Sequence, residues 1–337
     1  MERVTIEVSE LREKIVSILK KAGLSAGDAG YVADSLIDAE ICRVESHGLM
    51  RLAPYVERIQ KGLINPRPVV KMEKRDAIIR VDGGNGMGQI VARRTMEECV
   101  KGALQYGVCF AAVKNSNHFG MASSFTRIAS KAGCIGFSCT TAGPTMAPFG
   151  GMDKLLGTDP FSVAFPAGAD KQFILDIAVS AVAKGKIRIF EQEGKEIPLG
   201  WAMDSDGLDT KDPSAAVKGI LLPMAGHKGY GMAIVIEMLS AVLSGAKLSC
   251  ESESMFSGSG AANIGHFMGA LDIAHFLDPR EFQERGASWF DFLKASRCRP
   301  NVSRIMIPGE PEEEMRRREI KRLDVLKQTW LSIEKLV

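Results

Sequence analysis

The sequence predicts an α/β protein with a helical N-terminal part and a layered part that follows it. Apolar residues recur at helical spacing within roughly the first 70 residues. From about residue 75, short apolar runs alternate with helical patterns, which is typical of a layered α/β domain. A chain of 337 residues exceeds one ordinary core, so we expect two domains.

The N-terminal part contains three predicted helices. The first spans residues 9–22, where apolar and charged residues alternate at helical spacing until a glycine ends the pattern. Ser25 and Asp28 form the S-x-x-D pattern of a helix start, which predicts a second helix running to about Arg43. The third helix ends at Gly62, before a segment rich in Asn and Pro.

The layered part begins with a predicted strand at residues 77–82. Further along the chain, the same patterns predict a helix at 89–106, strands at 108–114 and 134–141, a loop-rich mixed sheet over 136–200, a core helix at 230–244, a strand at 263–273 and mostly helix over 312–337.

The composition is that of a soluble globular protein, with 45% hydrophobic and 25% charged residues. The net charge of +2 is small, and no block of Lys and Arg alternates with aromatic residues, which argues against nucleic-acid binding. The basic run at 315–322 follows glutamates and is interpreted as a mixed, solvated helix. No apolar run approaches the ~18 residues of a membrane span, and the N-terminus lacks the apolar core of a signal peptide.

The cysteines and histidines argue against disulfides and metal sites. Seven cysteines, an odd number without a C-x-x-C pair, favour a reducing cytoplasm over a disulfide framework or a structural zinc site. The five histidines show no H-x-x-x-H spacing, so we expect no metal.

The segment R-V-E-S-H-G-L-M-R-L carries the most informative group of polar residues, Ser46, His47 and Arg51. His47 can exchange a proton near neutral pH, and Arg51 can hold a carboxylate through two hydrogen bonds. At positions i and i+4 of a helix the two side chains would share a face, as a reductase of 2-oxo acids requires. The alternative is a helix end that carries a surface Arg and a capping His.

A second histidine, His118, lies in K-N-S-N-H-F-G between a predicted buried strand and the start of a helix. Ligand-binding and catalytic groups favour such strand ends. The alternative is that Ser116 or Asn117 caps the helix and His118 only packs.

Residues 222–233, L-P-M-A-G-H-K-G-Y-G-M-A, predict a phosphate-binding helix start. Backbone N–H groups at a helix N-terminus bind phosphate, glycine allows close approach, and Lys228 adds a positive charge. The chain lacks the G-x-G-x-x-G fingerprint, because G-G-N-G-M-G at 83–88 has the wrong spacing and is interpreted as a tight turn. Asp176, at a predicted strand end, is suited to hold a ribose hydroxyl or to orient a histidine, with a helix cap as the alternative.

Taken together, these segments resemble the malate/L-lactate dehydrogenase family of NAD(P)-dependent oxidoreductases, which is distinct from the Rossmann lactate and malate dehydrogenases. Eight motifs carry the resemblance in the family's order: E-S-H-G-L-M-R-L-x-x-Y (45–55), G-L-I-N-P (62–66), N-S-N-H-F-G (115–120), M-A-P-F-G-G (146–151), G-T-D-P-F-S-V-A-F-P (157–166), L-D-I-A-V-S-A-V-A-K-G-K-I (175–187), G-H-K-G-Y-G (226–231) and I-P-G-E-P-E (307–312).

The resemblance implies a three-layer α/β/α fold with a mixed sheet, a non-Rossmann dinucleotide-binding fold, and a helical domain built from both ends of the chain. The implied helical substrate and dimer domain covers residues 1–74, joined by about 228–297 and the C-terminal helix. The implied NAD(P)-binding domain covers 75–227, joined by about 298–322.

The resemblance also implies roles for individual residues. Ser46, His47 and Arg51 would line the substrate pocket with Arg51 on the carboxylate, and His118 is the other candidate proton donor. The implied cofactor-binding residues are Asp176, Ala178, Ser180, Lys184, His227, Lys228, Gly229, Gly309 and Glu310. Asp159 stands where the family more often has Asn.

We therefore predict a cytoplasmic enzyme, a homodimer by resemblance, that uses NAD or NADP to interconvert a small 2-oxo acid and a 2-hydroxy acid. The sequence leaves open which acid is used, which cofactor is preferred, and whether His47 or His118 transfers the proton. The alternatives are a reductase of cyclic 2-imino acids, a catalytically idle nucleotide-binding relative and a metal-dependent lyase.

Overall fold

A computed structural model describes residues 2–168, 172–252 and 260–337. Its elements up to the middle of the chain are β1 (Arg3–Glu7), α1 (Val8–Lys21), α2 (Ala26–Ile41), α3 (Leu52–Gln60), β2 (Lys71–Arg75), β3 (Ile78–Asp82), α4 (Gly88–Tyr106), β4 (Val108–Ser116), α5 (Ser123–Lys131), β5 (Cys134–Thr140), β6 (Phe161–Pro166) and β7 (Gln172–Ile177). The remaining elements are α6 (Lys184–Glu193), β8 (Ala202–Met203), α7 (Pro213–Lys218), β9 (Ile220–Leu221), α8 (His227–Glu237), β10 (Ile264–Asp272), α9 (Pro279–Lys294), α10 (Glu310–Arg317), β11 (Arg322–Leu326) and α11 (Lys327–Glu334).

The main sheet has the strand order β2-β3-β4-β10-β5-β6-β7. Strands β3 and β4 run parallel, and the other neighbouring pairs are antiparallel. The predicted mixed sheet is therefore confirmed. Strand β10 enters from late in the chain and pairs with β4 on one side and with β5 on the other.

Apolar side chains cover both faces of this sheet. Met268 and Ala270 of β10 pack with buried residues of α4 and α5 on one face. Phe267, which points to the opposite face, packs in a second cluster with Ile187 of α6 and Ile236 of α8. Helices thus lie on both sides of the sheet, which confirms the three-layer α/β/α arrangement.

The helical part joins the two ends of the chain, as predicted. Its core contains buried residues of α1, α2 and α3 together with Val325 of β11 and Ile333 of α11. Strand β1 pairs antiparallel with β11, so that Val4 lies opposite Val325. At the start of α2 the side chain of Ser25 accepts the Asp28 N–H at 3.1 Å, which is the predicted cap.

The C-terminal segment bears out one prediction and corrects another. Residues 312–337 are mostly helix, in α10 and α11, although the strand β11 between them was not predicted. The basic run at 315–322 is not simply solvated, because the Arg316 side chain is only 11% exposed. Its guanidinium binds both oxygens of Asp38 on α2 at 2.7 and 2.8 Å, a two-pronged ion pair that attaches α10 to the helical part.

The predicted domain boundaries need one correction. Residues 264–272, which were assigned to the helical domain within about 228–297, form the strand β10 at the centre of the sheet. The other boundaries stay a prediction. Over the described ranges, no helix combines the length and the apolar character that crossing a membrane requires.

Candidate active site

A cavity of about 980 Å³ is lined by residues of both the helical part and the sheet. Its wall includes the following predicted site residues: Ser46, His47, Arg51, His118, Asp176, Ala178, Lys184 and Gly309. The predicted cofactor-binding residues outside its wall are Ser180, His227, Lys228, Gly229 and Glu310.

His47 and Arg51 lie on two short 3-10 turns between α2 and α3, Glu45–His47 and Leu49–Arg51, and not on one α-helix as expected. Ser46 Oγ lies 2.9 Å from His47 Nδ1, and Arg51 Nε donates to the Ser46 carbonyl at 2.6 Å. The turns therefore hold the imidazole and the guanidinium together, which replaces the shared helix face that the spacing predicted.

Glu40 of α2 fixes these turns, a role that sequence reasoning missed. Its Oε1 accepts the Leu49 N–H at 2.8 Å. A Cβ at Gly48 would come within 2.4 Å of Glu40 Oε1, so a larger residue there would displace the carboxylate that fixes the turns. Burial raises the pKa of Glu40 to about 7. The glycine was the only signal in the sequence.

A hydrogen-bond chain through Tyr55 of α3 holds His118. Gln89 Nε2 donates to Tyr55 Oη at 2.9 Å, and Tyr55 Oη lies 2.7 Å from His118 Nδ1. The phenol oxygen can accept a second hydrogen bond, so the direction of the bond to His118 follows the imidazole tautomer: Tyr55 donates to Nδ1 when the imidazole proton is on Nε2. Burial raises the pKa of Tyr55 to about 12, so the phenol stays protonated. The roles of Tyr55 and Gln89 were also missed.

The glycine-rich turn at 83–88 positions the backbone next to His118. Asn117 Nδ2 donates to the Gly86 carbonyl at 2.8 Å, and a Cβ at Gly88 would collide with the Asn117 carbonyl. Residues 83–88 therefore form the tight turn that the sequence predicted. Neither of the proposed helix caps forms, because α5 has no side-chain cap and Ser116 Oγ instead pairs with His266 Nε2 at 2.7 Å.

His47 and His118 stack with ring centroids 5.5 Å apart and an angle of 23° between their planes. Burial lowers the pKa of His47 to about 4, and the positive charge of Arg51 contributes to this shift. Burial lowers the pKa of His118 well below its usual value, with further contributions from Arg51 and His47. Both imidazoles are therefore neutral at pH 7.

On the sheet side of the cavity, Asp176 at the end of β7 accepts the Ser123 N–H at 2.8 Å. Its hydrogen-bond partner is thus the start of α5 and neither histidine, although its carboxylate opens onto the cavity. The surrounding protein raises its pKa by desolvation. Gly309, with φ of +88°, packs against Ile174 of the same strand, where a Cβ would approach to 2.8 Å.

The predicted phosphate-binding residues lie outside the cavity wall. His227 and Lys228 are exposed at the start of α8. Gly229 packs so closely on the Met224 carbonyl that a Cβ would collide with it. Ser180 is buried and donates to the Val182 carbonyl at 3.0 Å, and Glu310 pairs with Lys294, so these side chains have structural partners. Their cofactor roles stay proposals.

Asp159, which differs from the family's usual Asn, is fully buried under the loop at 141–145. Its Oδ1 accepts the Ala142 N–H at 3.0 Å and the Ser249 hydroxyl at 3.4 Å. Burial and the nearby charge of Glu237 raise its pKa well above the usual value. Within the described part of the chain, no three His, Cys, Asp or Glu side chains gather into a group that could hold a metal ion.

The family model for malate/L-lactate dehydrogenases matches residues 6–334. The chain belongs to this family. It is 37% identical over 305 residues to malate dehydrogenase from Pyrococcus horikoshii, covering 88% of this chain and 84% of that protein. It is also 37% identical over 314 residues to L-sulfolactate dehydrogenase from Methanocaldococcus jannaschii, covering 93% and 90%.

A solved structure shows the same fold. The sulfolactate dehydrogenase from Methanocaldococcus jannaschii superposes with a TM-score of 0.94 at 34% identity, covering 99% of this chain and 96% of that one. Further relatives carry NAD(+) or NADP(+) in their names.

The electrostatics of the histidine pair predict an unusual titration. In an NMR titration of the imidazole resonances, His47 should stay neutral down to a midpoint near pH 4, because burial and Arg51 disfavour its charged form. The variant Arg51→Met should move that midpoint upward by removing the positive charge. A His47 midpoint near 6.5 in the unaltered protein would contradict this account.

Proposed function

We propose that this protein is an NAD- or NADP-dependent dehydrogenase that interconverts a small 2-oxo acid and the corresponding 2-hydroxy acid. The observation that carries the proposal is the meeting of Arg51, His47 and His118 at one cavity. Arg51 can bind the carboxylate of a 2-oxo acid, and the two neutral imidazoles lie beside it. They are suited to transfer the proton that the oxo oxygen gains on reduction and that the hydroxyl loses on oxidation.

The cavity fits a dinucleotide beside a small acid. Its volume of about 980 Å³ lies at the upper end of the range of ligand pockets, far more than an oxo acid of a few carbons fills. Its wall offers Asp176 for a hydroxyl, Lys184 for a phosphate, and Ala178 and Gly309 as places of close approach. When bound, the nicotinamide supplies or accepts the hydride.

In the proposed reduction, Arg51 binds the substrate carboxylate with its guanidinium. Burial is the main cause of the low pKa of His47 and Arg51 is the second, so a bound carboxylate that offsets the charge of Arg51 raises the proton affinity of His47, which delivers its proton to the forming alkoxide oxygen. A general acid of this kind contributes about 10²–10⁴-fold in rate. In the tautomer that accepts the Tyr55 hydroxyl at Nδ1, His118 carries its proton on Nε2, donates a hydrogen bond to the same oxygen and orients the carbonyl.

Replacement of Arg51 tests this proposal. Arg51→Met should lower kcat/KM for 2-oxo acids by about 100-fold or more, with both a higher KM and a lower kcat, because the clamp acts in the ground state and in the transition state. Pyruvate, oxaloacetate and piperideine-2-carboxylate should be assayed with NADH and NADPH in parallel. Arg75→Met, which removes an exposed arginine of β2, is the matched control.

Three results would contradict the proposal. Unchanged kinetics of Arg51→Met would remove Arg51 from the site. Turnover of the cyclic imino acid alone would make the protein an imine reductase. Binding of the reduced cofactor, seen by fluorescence, without turnover of any acid would make it a catalytically idle relative.

We also propose that the protein is a homodimer that works in the cytoplasm. All seven cysteines are free thiols and most are buried, which suits a reducing compartment. An exposed apolar stripe runs along α8 and the π-helical turn Met238–Val242 that continues it. Its residues are between 41% and 61% exposed, an arrangement typical of a surface that a second subunit covers: Ile234, Val235, Met238, Val242 and Leu243.

Light scattering tests the dimer. The unaltered protein should have twice the chain mass, and the double variant Val235→Glu/Met238→Glu should be monomeric because it places charges in the apolar stripe. Leu104→Glu, at an exposed apolar position of α4, should leave the dimer intact. A monomeric unaltered protein, or a dimer that survives both glutamates, would contradict the assignment.

A further inference from the structure

His266 is a fully buried histidine of the main sheet that takes no part in the proposed proton transfer. It lies on β10, on the same face as Met268 and Ala270, which pack into an apolar cluster with α4 and α5. Burying a polar side chain in such surroundings costs free energy unless hydrogen bonds compensate for it. The contacts of the ring must therefore account for its place.

Both ring nitrogens of His266 have hydroxyl partners at the ends of neighbouring strands. Nε2 lies 2.7 Å from Ser116 Oγ at the end of β4, and Nδ1 lies 2.7 Å from Thr140 Oγ1 at the end of β5. Burial lowers the pKa of His266 to about 3, so the ring is neutral and offers one donor and one acceptor. Because a hydroxyl can donate or accept, both bonds form whichever nitrogen carries the proton. The imidazole thus links two strands that do not pair with each other.

An irregularity in β10 lies directly before this ring. The pairing of β10 with β4 shifts its register between Ile264 and His266. Bulges of this kind re-aim side chains and are frequent next to active sites. A Cβ at Gly265 would collide with the Ser240 carbonyl oxygen, so a larger residue there would displace the strand. The imidazole reaches both strand ends from this irregular position.

The ring of His266 contacts the chain on both sides of His118. Ser116 precedes His118 by two residues, and the ring of Phe119 stacks on the imidazole of His266 with centroids 4.6 Å apart and 11° between the planes. Thr140, the partner of the other nitrogen, directly precedes the loop at 141–145, which lines the cavity. One buried ring therefore supports two segments of the cavity wall.

We propose that His266 is a positioning residue for the reaction, which acts through its bond to Ser116 to hold His118 against the substrate oxygen. This inference rests on the proposed function, in which His118 orients the substrate carbonyl. Among the described residues, His266 does not belong to the cavity wall, so it acts on the substrate only through its neighbours. A displacement of about 1 Å in such a site can lower the rate by about 100-fold.

The different reach of two amide side chains tests this role. The glutamine amide lies as many bonds from Cβ as Nε2 of His266, whereas the asparagine amide reaches only as far as Nδ1. His266→Gln should therefore keep a partner for Ser116 and retain kcat for oxo-acid reduction within about threefold. His266→Asn loses that partner, so kcat should fall about 10-fold or more, while KM for the oxo acid stays within about threefold because Arg51 is unaffected. Steady-state kinetics with pyruvate and oxaloacetate at saturating NADH measure both values.

Ser116→Ala tests the same bond from its other end and is the milder change. It should lower kcat about as much as His266→Asn, and the two changes combined should lower kcat no further, because both break one contact. Thr95→Val is the matched control. It removes a fully buried hydroxyl that donates to the Val91 carbonyl at 2.8 Å on α4, so kcat should stay unchanged. Urea unfolding shows whether each variant is folded in the assay, and Ser116→Ala decides if His266→Asn is not.

The remaining outcomes separate this inference from the proposed function. Equal losses of kcat in His266→Gln and His266→Asn, or an unchanged kcat in Ser116→Ala, would overturn the positioning role while the dehydrogenase activity stands. A comparable loss in Thr95→Val would show a general effect of stability and would overturn it as well. Absence of turnover of every oxo acid by the unaltered enzyme would instead remove the proposed function, and this inference with it.

Discussion

The hydrogen bond between Tyr55 and His118 joins the two parts of this protein at the cavity. Tyr55 belongs to α3 of the helical part, and His118 follows the strand β4 of the sheet. His47, carried by the turns before α3, reaches its stacking distance from His118 only when the helical part is docked on the sheet. The proposed chemistry therefore depends on this contact, since neither part contains the pair of imidazoles by itself.

The contact between the two parts also determines the protonation states of His47 and His118. Burial between the two parts removes the imidazoles from water, and Arg51 adds a positive charge beside them, so both lose affinity for protons. A bound carboxylate offsets the charge of Arg51 and restores part of that affinity. In the proposed reaction, binding of the substrate carboxylate would therefore favour the proton uptake that the reduction needs.

Local patterns in the sequence predicted much of the fold. The apolar periodicity predicted α1 to α4 and the strands β3 to β5, and the S-x-x-D pattern of residues 25–28 predicted the Ser25 cap. What the patterns could not provide were contacts between distant residues. The insertion of β10 between β4 and β5, and the ion pair of Arg316 with Asp38 across 278 positions, depend on packing that no local window contains.

The candidate site was likewise predicted only as far as local motifs reveal it. The motif at 45–55 and His118 were found because their residue types carry chemistry, and the structure brings them to one cavity. Tyr55, Gln89 and Glu40 hold those residues in position through hydrogen bonds. A single sequence gives little indication of such contacts, apart from Gly48 and Tyr55 in the motif at 45–55. His227 and Lys228 lie in a pattern typical of phosphate binding, yet they are not part of the cavity wall.

The kinetics of Tyr55→Phe show whether the contact between the two parts supports catalysis. This variant keeps the ring that fills the core and removes the hydroxyl that orients His118. We expect kcat for oxo-acid reduction to fall about 10-fold or more while KM changes by less than about threefold, with a loss of stability of about 1 kcal/mol, the net value of one hydrogen bond. Tyr31→Phe, at another largely buried tyrosine of the helical part, should leave kcat unchanged. An unchanged kcat in Tyr55→Phe, or an equal fall in both variants, would show that the Tyr55 hydroxyl does not orient His118 for the reaction.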